Sequence, residues 1–278
     1  MRKTKIVCTL GPACDDPAIL RRMMEAGMNV ARFNFSHGTH EEHKKRLDTL
    51  KALREEMDLP VATLLDTKGP EIRLKTFANK KVQLEKGQLF TLRRTDEPGD
   101  ETGCGISYER LYEDVQPGCT ILLDDGLIGL TVEKVENTDI VCRVLNGGTV
   151  SDRKGVNLPG VRFSMPYLSK KDEEDLLFAV KNDYDYIAAS FVRRADDVMQ
   201  VRRILRQAGS DIQIISKIEN AEGLENIDEI LRVEGIDAAI VGPCDLGISM
   251  GNPDNVMDER ELALIQKVVD ACKRHDKA

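Results

Sequence analysis

The sequence predicts an α/β protein: a TIM-type (β/α) barrel, incomplete at six βα units, with a small all-β domain inserted after the third strand. Three observations predict it. Short buried apolar runs alternate with amphipathic stretches of helical period, the pattern of a parallel sheet covered by helices. The rhythm breaks between about residues 70 and 165, where short runs of alternating polarity are punctuated by Pro98-Gly99, Pro117-Gly118 and Gly147-Gly148. Lys217, Glu219 and Asp245 fall at the ends of two consecutive buried runs, and consecutive parallel strands end on one rim.

In chain order, residues 5–9 read as strand, 17–26 as helix, 30–35 as strand, and 40–57 as a charged helix with Leu47, Leu50 and Leu53 facing inward. Residues 60–65 are the third strand. The interruption carries the alternating runs 82–84, 120–123 and 140–144 and no stripe of helix length, which predicts a separate all-β unit. Alternation resumes with a helix at 170–181, a strand at 186–191, a helix at 195–207 and a strand at 212–215. A helix from about 222 to 233, with Leu224, Ile227, Ile230 and Leu231 on one stripe, then leads to a strand at 238–241 and a last helix at 258–274. The chain thus divides into barrel residues 1–69, an inserted domain at 70–165 and barrel residues 166–278. Six units leave an eight-unit barrel two short, with two open sheet edges. A fragment, a chain completed by a partner, or a swapped oligomer is therefore expected.

Composition narrows the function. Forty-eight acidic against 40 basic residues give a net charge of -8 without a basic block, which argues against nucleic acid as a partner. No apolar stretch reaches the roughly 20 residues of a membrane helix, and Met1-Arg2-Lys3-Thr4-Lys5 leads into a strand rather than a signal-peptide core. A cytoplasmic protein is expected. Seven cysteines, an odd number without C-x-x-C spacing, fit neither a disulfide framework nor a zinc site.

Glu219 and Asp245, 26 residues apart, repel one another on a shared rim unless a cation lies between them. Hard carboxylate oxygens suit magnesium or manganese better than zinc. The alternative is that the two acids are helix caps or surface charges.

Four motifs in order carry a resemblance. They are Val30-Ala31-Arg32-Phe33-Asn34-Phe35-Ser36-His37-Gly38, Leu64-Leu65-Asp66-Thr67-Lys68-Gly69-Pro70-Glu71-Ile72-Arg73, Val156-Asn157-Leu158-Pro159-Gly160 and Ser216-Lys217-Ile218-Glu219-Asn220. Split by a β-domain after the third strand, this set resembles pyruvate kinase from residue 1 to about 233. The resemblance implies phosphoryl transfer from phosphoenolpyruvate to ADP, giving pyruvate and ATP in glycolysis, in a homo-oligomer. It implies that Lys217 and Arg32 act on the transferring phosphoryl group and the enolate oxygen. Arg73 would grip the nucleotide and phosphoryl group, and Lys154 and His37 would reach the nucleotide. Glu219 and Asp245 would hold magnesium or manganese, while Asn34, Ser36, Asp66 and Thr67 would hold potassium. Relatives with a glutamate at the position of Glu71 need potassium, so potassium dependence is expected here.

From about 235 to 278 the sequence also resembles metal-dependent 2-oxoacid aldolases of the HpcH/HpaI type. The resemblance rests on Gly235-Ile236-Asp237-Ala238-Ala239-Ile240-Val241-Gly242-Pro243-Cys244-Asp245-Leu246 and Ser249-Met250-Gly251. Pyruvate kinases read approximately Val-Ala-Arg-Gly-Asp-Leu-Gly where this chain has Val241 to Gly247. That leaves two alternatives beside the kinase: a metal-dependent aldolase or lyase acting through pyruvate enolate, and a non-catalytic relative.

Overall fold

A computed structural model describes residues 4–251 and 258–278. Met1, Arg2 and Lys3, and the part of the aldolase-like tail at 252–257, lie outside the described residues. The first barrel part runs β1 (Val7–Thr9), α1 (Pro17–Glu25), β2 (Val30–Asn34), α2 (His40–Met57) and β3 (Ala62–Asp66). Between residues 70 and 165 follow β4 (Lys81–Leu84), β5 (Leu89–Arg93), β6 (Gly103–Gly105), a four-residue helix α3 (Leu111–Asp114), β7 (Thr120–Leu123), β8 (Ile128–Glu136), β9 (Asp139–Val144), β10 (Gly148–Ser151) and β11 (Val156–Asn157). The βα alternation then returns with α4 (Lys170–Lys181), β12 (Tyr186–Ala189), α5 (Ala195–Gln207), β13 (Gln213–Ile218), α6 (Ala221–Glu225), α7 (Ile227–Leu231), β14 (Ile236–Val241), α8 (Pro243–Ser249) and α9 (Glu259–Arg274).

Six strands form one sheet in the order β1-β2-β3-β12-β13-β14, every neighbouring pair parallel. This is an incomplete (β/α) barrel of six units. Successive strands lie side by side because each βα connection returns the chain to the same edge in the same sense. The outer edge of β1 exposes Ile6 and Val7. Along the outer edge of β14, the Ala239 amide donates to the Ala278 carbonyl at 2.9 Å and the Ala278 amide to the Asp237 carbonyl at 3.3 Å. The segment 70–165 forms a six-stranded sheet, β11-β7-β8-β9-β5-β6, and a β10-β4 ribbon. Leu65, Ile187, Ile214 and Ile236 belong to one buried apolar cluster, and Phe90, Leu130 and Ile121 to a second.

Local chemistry explains the elements. Thr39 and Glu42 form a reciprocal cap at the start of α2, and Leu47, Leu50 and Leu53 on its inner stripe are buried. Ser169 and Asp172 cap α4 in the same way. The helix expected at 222–233 is instead two short helices split at Asn226, whose side-chain amide donates to the Arg193 carbonyl at 2.9 Å. Asparagine competes for backbone partners in this manner and interrupts helical bonding. The strand expected at 186–191 ends at Ala189, because Phe191 turns into the left-handed region at φ +53°. Conversely β13 runs on to Ile218, beyond the expected 215, because β14 pairs with it to the end, Lys217 opposite Ile240 and Ile218 opposite Val241.

Candidate active site

The carboxyl ends of the parallel strands open onto a cavity of about 450 Å³. Arg32 reaches it from β2, Asp66 from the end of β3, Lys217 from β13 and Glu219 from the residue following β13. Asp245 comes from the first turn of α8. Asn34, Ser36, Thr67 and Arg73 complete the set of sequence-derived candidates on its wall. His37 and Lys154 are not on it. Lys154 pairs with Asp124 at 2.9 Å, and His37 is exposed while its carbonyl accepts from His43. A second cavity of about 180 Å³ shares Glu219 and Asp245 and continues under the return segment Gly155 to Phe163.

At the centre is a buried charge network. Asp66 is 1% exposed, and Arg32 reaches it with Nε and Nη2, both at 2.6 Å, while its Nη1 donates to Thr9 Oγ1 at 2.7 Å. Lys217 Nζ lies 3.1 Å from Asp66 Oδ1, 3.0 Å from Ser190 Oγ and 3.0 Å from Glu219 Oε1. Burial pulls the Lys217 ammonium down, but Glu219 and then Asp66 push it further up, so the net shift is upward. It is a cation at neutral pH. Glu219, 4% exposed, also accepts from the Phe191 amide at 2.9 Å, a bond that the left-handed turn at Phe191 makes possible. A left-handed aromatic residue beside a cavity is strained backbone of the kind that clusters at functional sites.

Asp245 is the exception in this network. Among the described residues it makes no ion pair and no side-chain hydrogen bond. Burial first, and the charge of Glu219 second, push its carboxyl up to about 6, with Lys217 pulling the other way. Two neighbouring carboxylates served by one ammonium form a site with room for a further cation, and the donors are hard oxygens suited to magnesium or manganese. The second candidate set passes a separate test. Ser36 Oγ and the Ser36 and Thr67 carbonyl oxygens accept no hydrogen bond among the described residues, and Asn34 Oδ1 and Asp66 line the same wall. Glu71 is occupied as a bidentate partner of Arg73, at 2.6 and 2.8 Å.

Sequence reading missed Ser190, Phe191 and Asp125. Ser190 Oγ donates to Asp66 Oδ1 at 2.8 Å, and its own amide donates to Thr67 Oγ1 at 3.1 Å, which ties the ends of β3 and β12 together. A hydroxyl ending the apolar run Ala188-Ala189 was the available signal. Asp125, from the turn between β7 and β8, lines both cavities and leaves no comparable mark in the sequence.

Fold and site together define a (β/α)-barrel protein whose strand-end rim gathers arginine, lysine and paired carboxylates around one cavity, as anion-handling barrel enzymes do. A family model described as the pyruvate kinase barrel domain matches residues 1–277. The chain belongs to the pyruvate kinase family. It is 45% identical over 271 residues to a pyruvate kinase of Clostridium acetobutylicum, covering 97% of this chain and 55% of the relative. It is 47% identical over 252 residues to one of Clostridium perfringens, covering 90% and 53%. It is 47% identical over 281 residues to one of Sporosarcina psychrophila, covering 100% and 46%. The chain spans about half the length of these curated relatives. The family match includes the segment from 235 onward.

Proposed function

We propose that this chain carries the phosphoryl-transfer site of a pyruvate kinase, moving a phosphoryl group from phosphoenolpyruvate to ADP and releasing pyruvate and ATP. The observation that carries this reading is Lys217 held between Asp66 and Glu219 on the rim where Arg32 and Asp245 also converge. Arg32 and Arg73 would turn donors of their planar forks to the phosphoryl oxygens beside the pairs they make with Asp66 and Glu71, and Lys217 would supply a fixed positive charge where charge develops on the enolate oxygen. Lys217 acts by electrostatics, since its salt bridges keep it protonated and unfit for Schiff-base formation. Glu219 and Asp245 would hold magnesium or manganese, which when bound draws negative charge from the phosphoryl and enolate oxygens. Asn34, Ser36, Asp66 and Thr67 would hold potassium. His37 and Lys154 would meet the nucleotide at the cavity margin. Residues 1–69 and 166–278 act as the barrel part and 70–165 as an inserted domain whose Asp125 lines both cavities and whose Asn157 lines the smaller one. A cytoplasmic homo-oligomer is the expected setting.

The likeness of residues 235–251 to 2-oxoacid aldolases keeps a second reading, pyruvate enolisation with a divalent metal but without nucleotide or potassium. A coupled assay of the chain with phosphoenolpyruvate and ADP, with potassium or tetramethylammonium, decides between them. Turnover that needs ADP, divalent metal and potassium supports the kinase. Metal-dependent exchange of pyruvate methyl protons without ADP or potassium supports the aldolase. Metal binding with neither reaction marks a non-catalytic relative.

A further inference from the structure

The turn that presents Ser36 to the cavity is braced from behind by two helices. Its front is set by the Phe35 amide donating to the Asp66 carbonyl at 2.9 Å and by the Ser36 amide donating to Asn34 Oδ1 at 3.0 Å. Behind it, Lys171 of α4 donates to the Phe35 carbonyl at 2.9 Å, and its ammonium is anchored by Asp175, 0% exposed, at 2.6 Å. From α2, His43 Nε2 lies 2.8 Å from the His37 carbonyl. A carbonyl only accepts, so this ring nitrogen carries the proton and donates. The same imidazole is buried and stacks on Phe35, the ring centroids 4.1 Å apart and the planes at 13°. The carbonyls on either side of Ser36 are both occupied, whereas the Ser36 carbonyl and hydroxyl accept nothing among the described residues. Rotating the turn would break both bonds and the stack, so Ser36 stays on the cavity wall.

We infer that His43 and Lys171 are positioning residues that preorganise Ser36 for an alkali cation, and so set the affinity of the chain for that ion. The inference rests on the potassium reading of Asn34, Ser36, Asp66 and Thr67. Preorganised ligand oxygens bind more tightly because less ordering is left to do on binding.

The test uses the whole chain and thallous ion as the probe for potassium, with binding read by thallium NMR and manganese binding read separately by electron spin resonance. His43→Gln places an amide donor near the position of Nε2, while His43→Phe keeps the stack and removes the donor. Expected are near-normal thallous affinity for His43→Gln and about tenfold weaker binding for His43→Phe, equivalent to about 1.4 kcal/mol, with manganese affinity unchanged in both. Lys171→Met, at a half-exposed side chain that leaves the core intact, should weaken thallous binding to a similar degree. Should His43→Phe prove unstable, Lys171→Met decides. Equal thallous affinity in wild type, His43→Phe and Lys171→Met overturns the inference. So does Phe outperforming Gln, because a purely packing role favours the better stack. If the wild-type chain binds manganese but no thallous ion, the alkali site itself falls and the inference with it.

Discussion

The two halves of the rim handle buried charge in opposite ways. On the side built by β2, β3 and β12, Asp66 is answered by Arg32, Lys217 and the Ser190 hydroxyl, and the network is complete as protein. On the side built by β13 and the start of α8, Glu219 pairs with the Lys217 ammonium that Asp66 also engages, and Asp245 has no direct partner among the described residues. The difference teaches where binding energy is available. A satisfied half fixes geometry, while an unsatisfied half is stabilised by whatever cation arrives.

The largest effect should come from breaking the satisfied half. Asp66→Asn removes the carboxylate from two cations, and losing one partner of a buried pair destabilises by about 3–5 kcal/mol. Arg32 is partly exposed and relaxes into solvent, so the lower end is expected. Urea unfolding measures this, and a midpoint equal to wild type would mean that Asp66 does not hold this half together.

Next comes Gly69→Ala, at the loop that follows Asp66. Gly69 has φ +69°, and an added Cβ would lie 2.7 Å from the Ser190 carbonyl oxygen, which is backbone and does not swing aside. Left-handed strain plus this clash should destabilise by about 2 kcal/mol and separate β3 from β12 at the rim. An unchanged thermal midpoint would show that the two strand ends are less tightly coupled than their geometry indicates.

The unsatisfied half should reveal itself through pH. The folded chain holds the Asp245 proton up to about 6, against an ordinary 3.8, so folding takes up a proton in that interval. The contribution of this group to stability therefore falls as pH rises from about 4 to about 6, and Asp245→Asn should remove that part of the slope. Manganese must displace the same proton, so its affinity should rise about tenfold per pH unit below 6 and level off above it. A pH-independent manganese affinity across this range would take Asp245 out of the divalent site.

Much of this contrast was legible in the sequence. Period and strand order placed Lys217, Glu219 and Asp245 at the ends of consecutive buried runs, and such ends share a rim in a parallel sheet whatever lies between them in the chain, while Arg32 and Asp66 were supplied by the family resemblance. The closure of the satisfied half was not legible. Ser190 works through an amide bond to Thr67 and a hydroxyl bond to Asp66, and Phe191 adopts its left-handed turn beside Glu219 from the neighbouring strand. Both depend on contacts some 28 to 124 residues away in sequence. The split at Asn226 is of the same kind, a tertiary hydrogen bond to Arg193 that overrides a helical stripe. The pairing of Lys154 was not legible either: a long loop side chain goes where its nearest carboxylate is, and here that is Asp124.

The smallest effect tests how redundant the satisfied half is. Arg32 makes three contacts, two to Asp66 and one to Thr9 Oγ1 at 2.7 Å on the neighbouring strand β1. Thr9→Val keeps the β-branched shape, removes only the hydroxyl, and leaves the guanidinium nitrogen within reach of water at this exposed bond. A hydrogen bond to a charged group is worth about 1.5–3 kcal/mol when buried, but solvent replacement here should hold the change below about 1 kcal/mol. The two guanidinium contacts to Asp66 Oδ2 should keep Arg32 in place, so manganese and thallous affinities should be unaltered. A loss as large as that of Asp66→Asn would mean that Arg32 is aimed by β1 rather than by the carboxylate, and the division of the rim into a closed and an open half would have to be redrawn around the sheet edge.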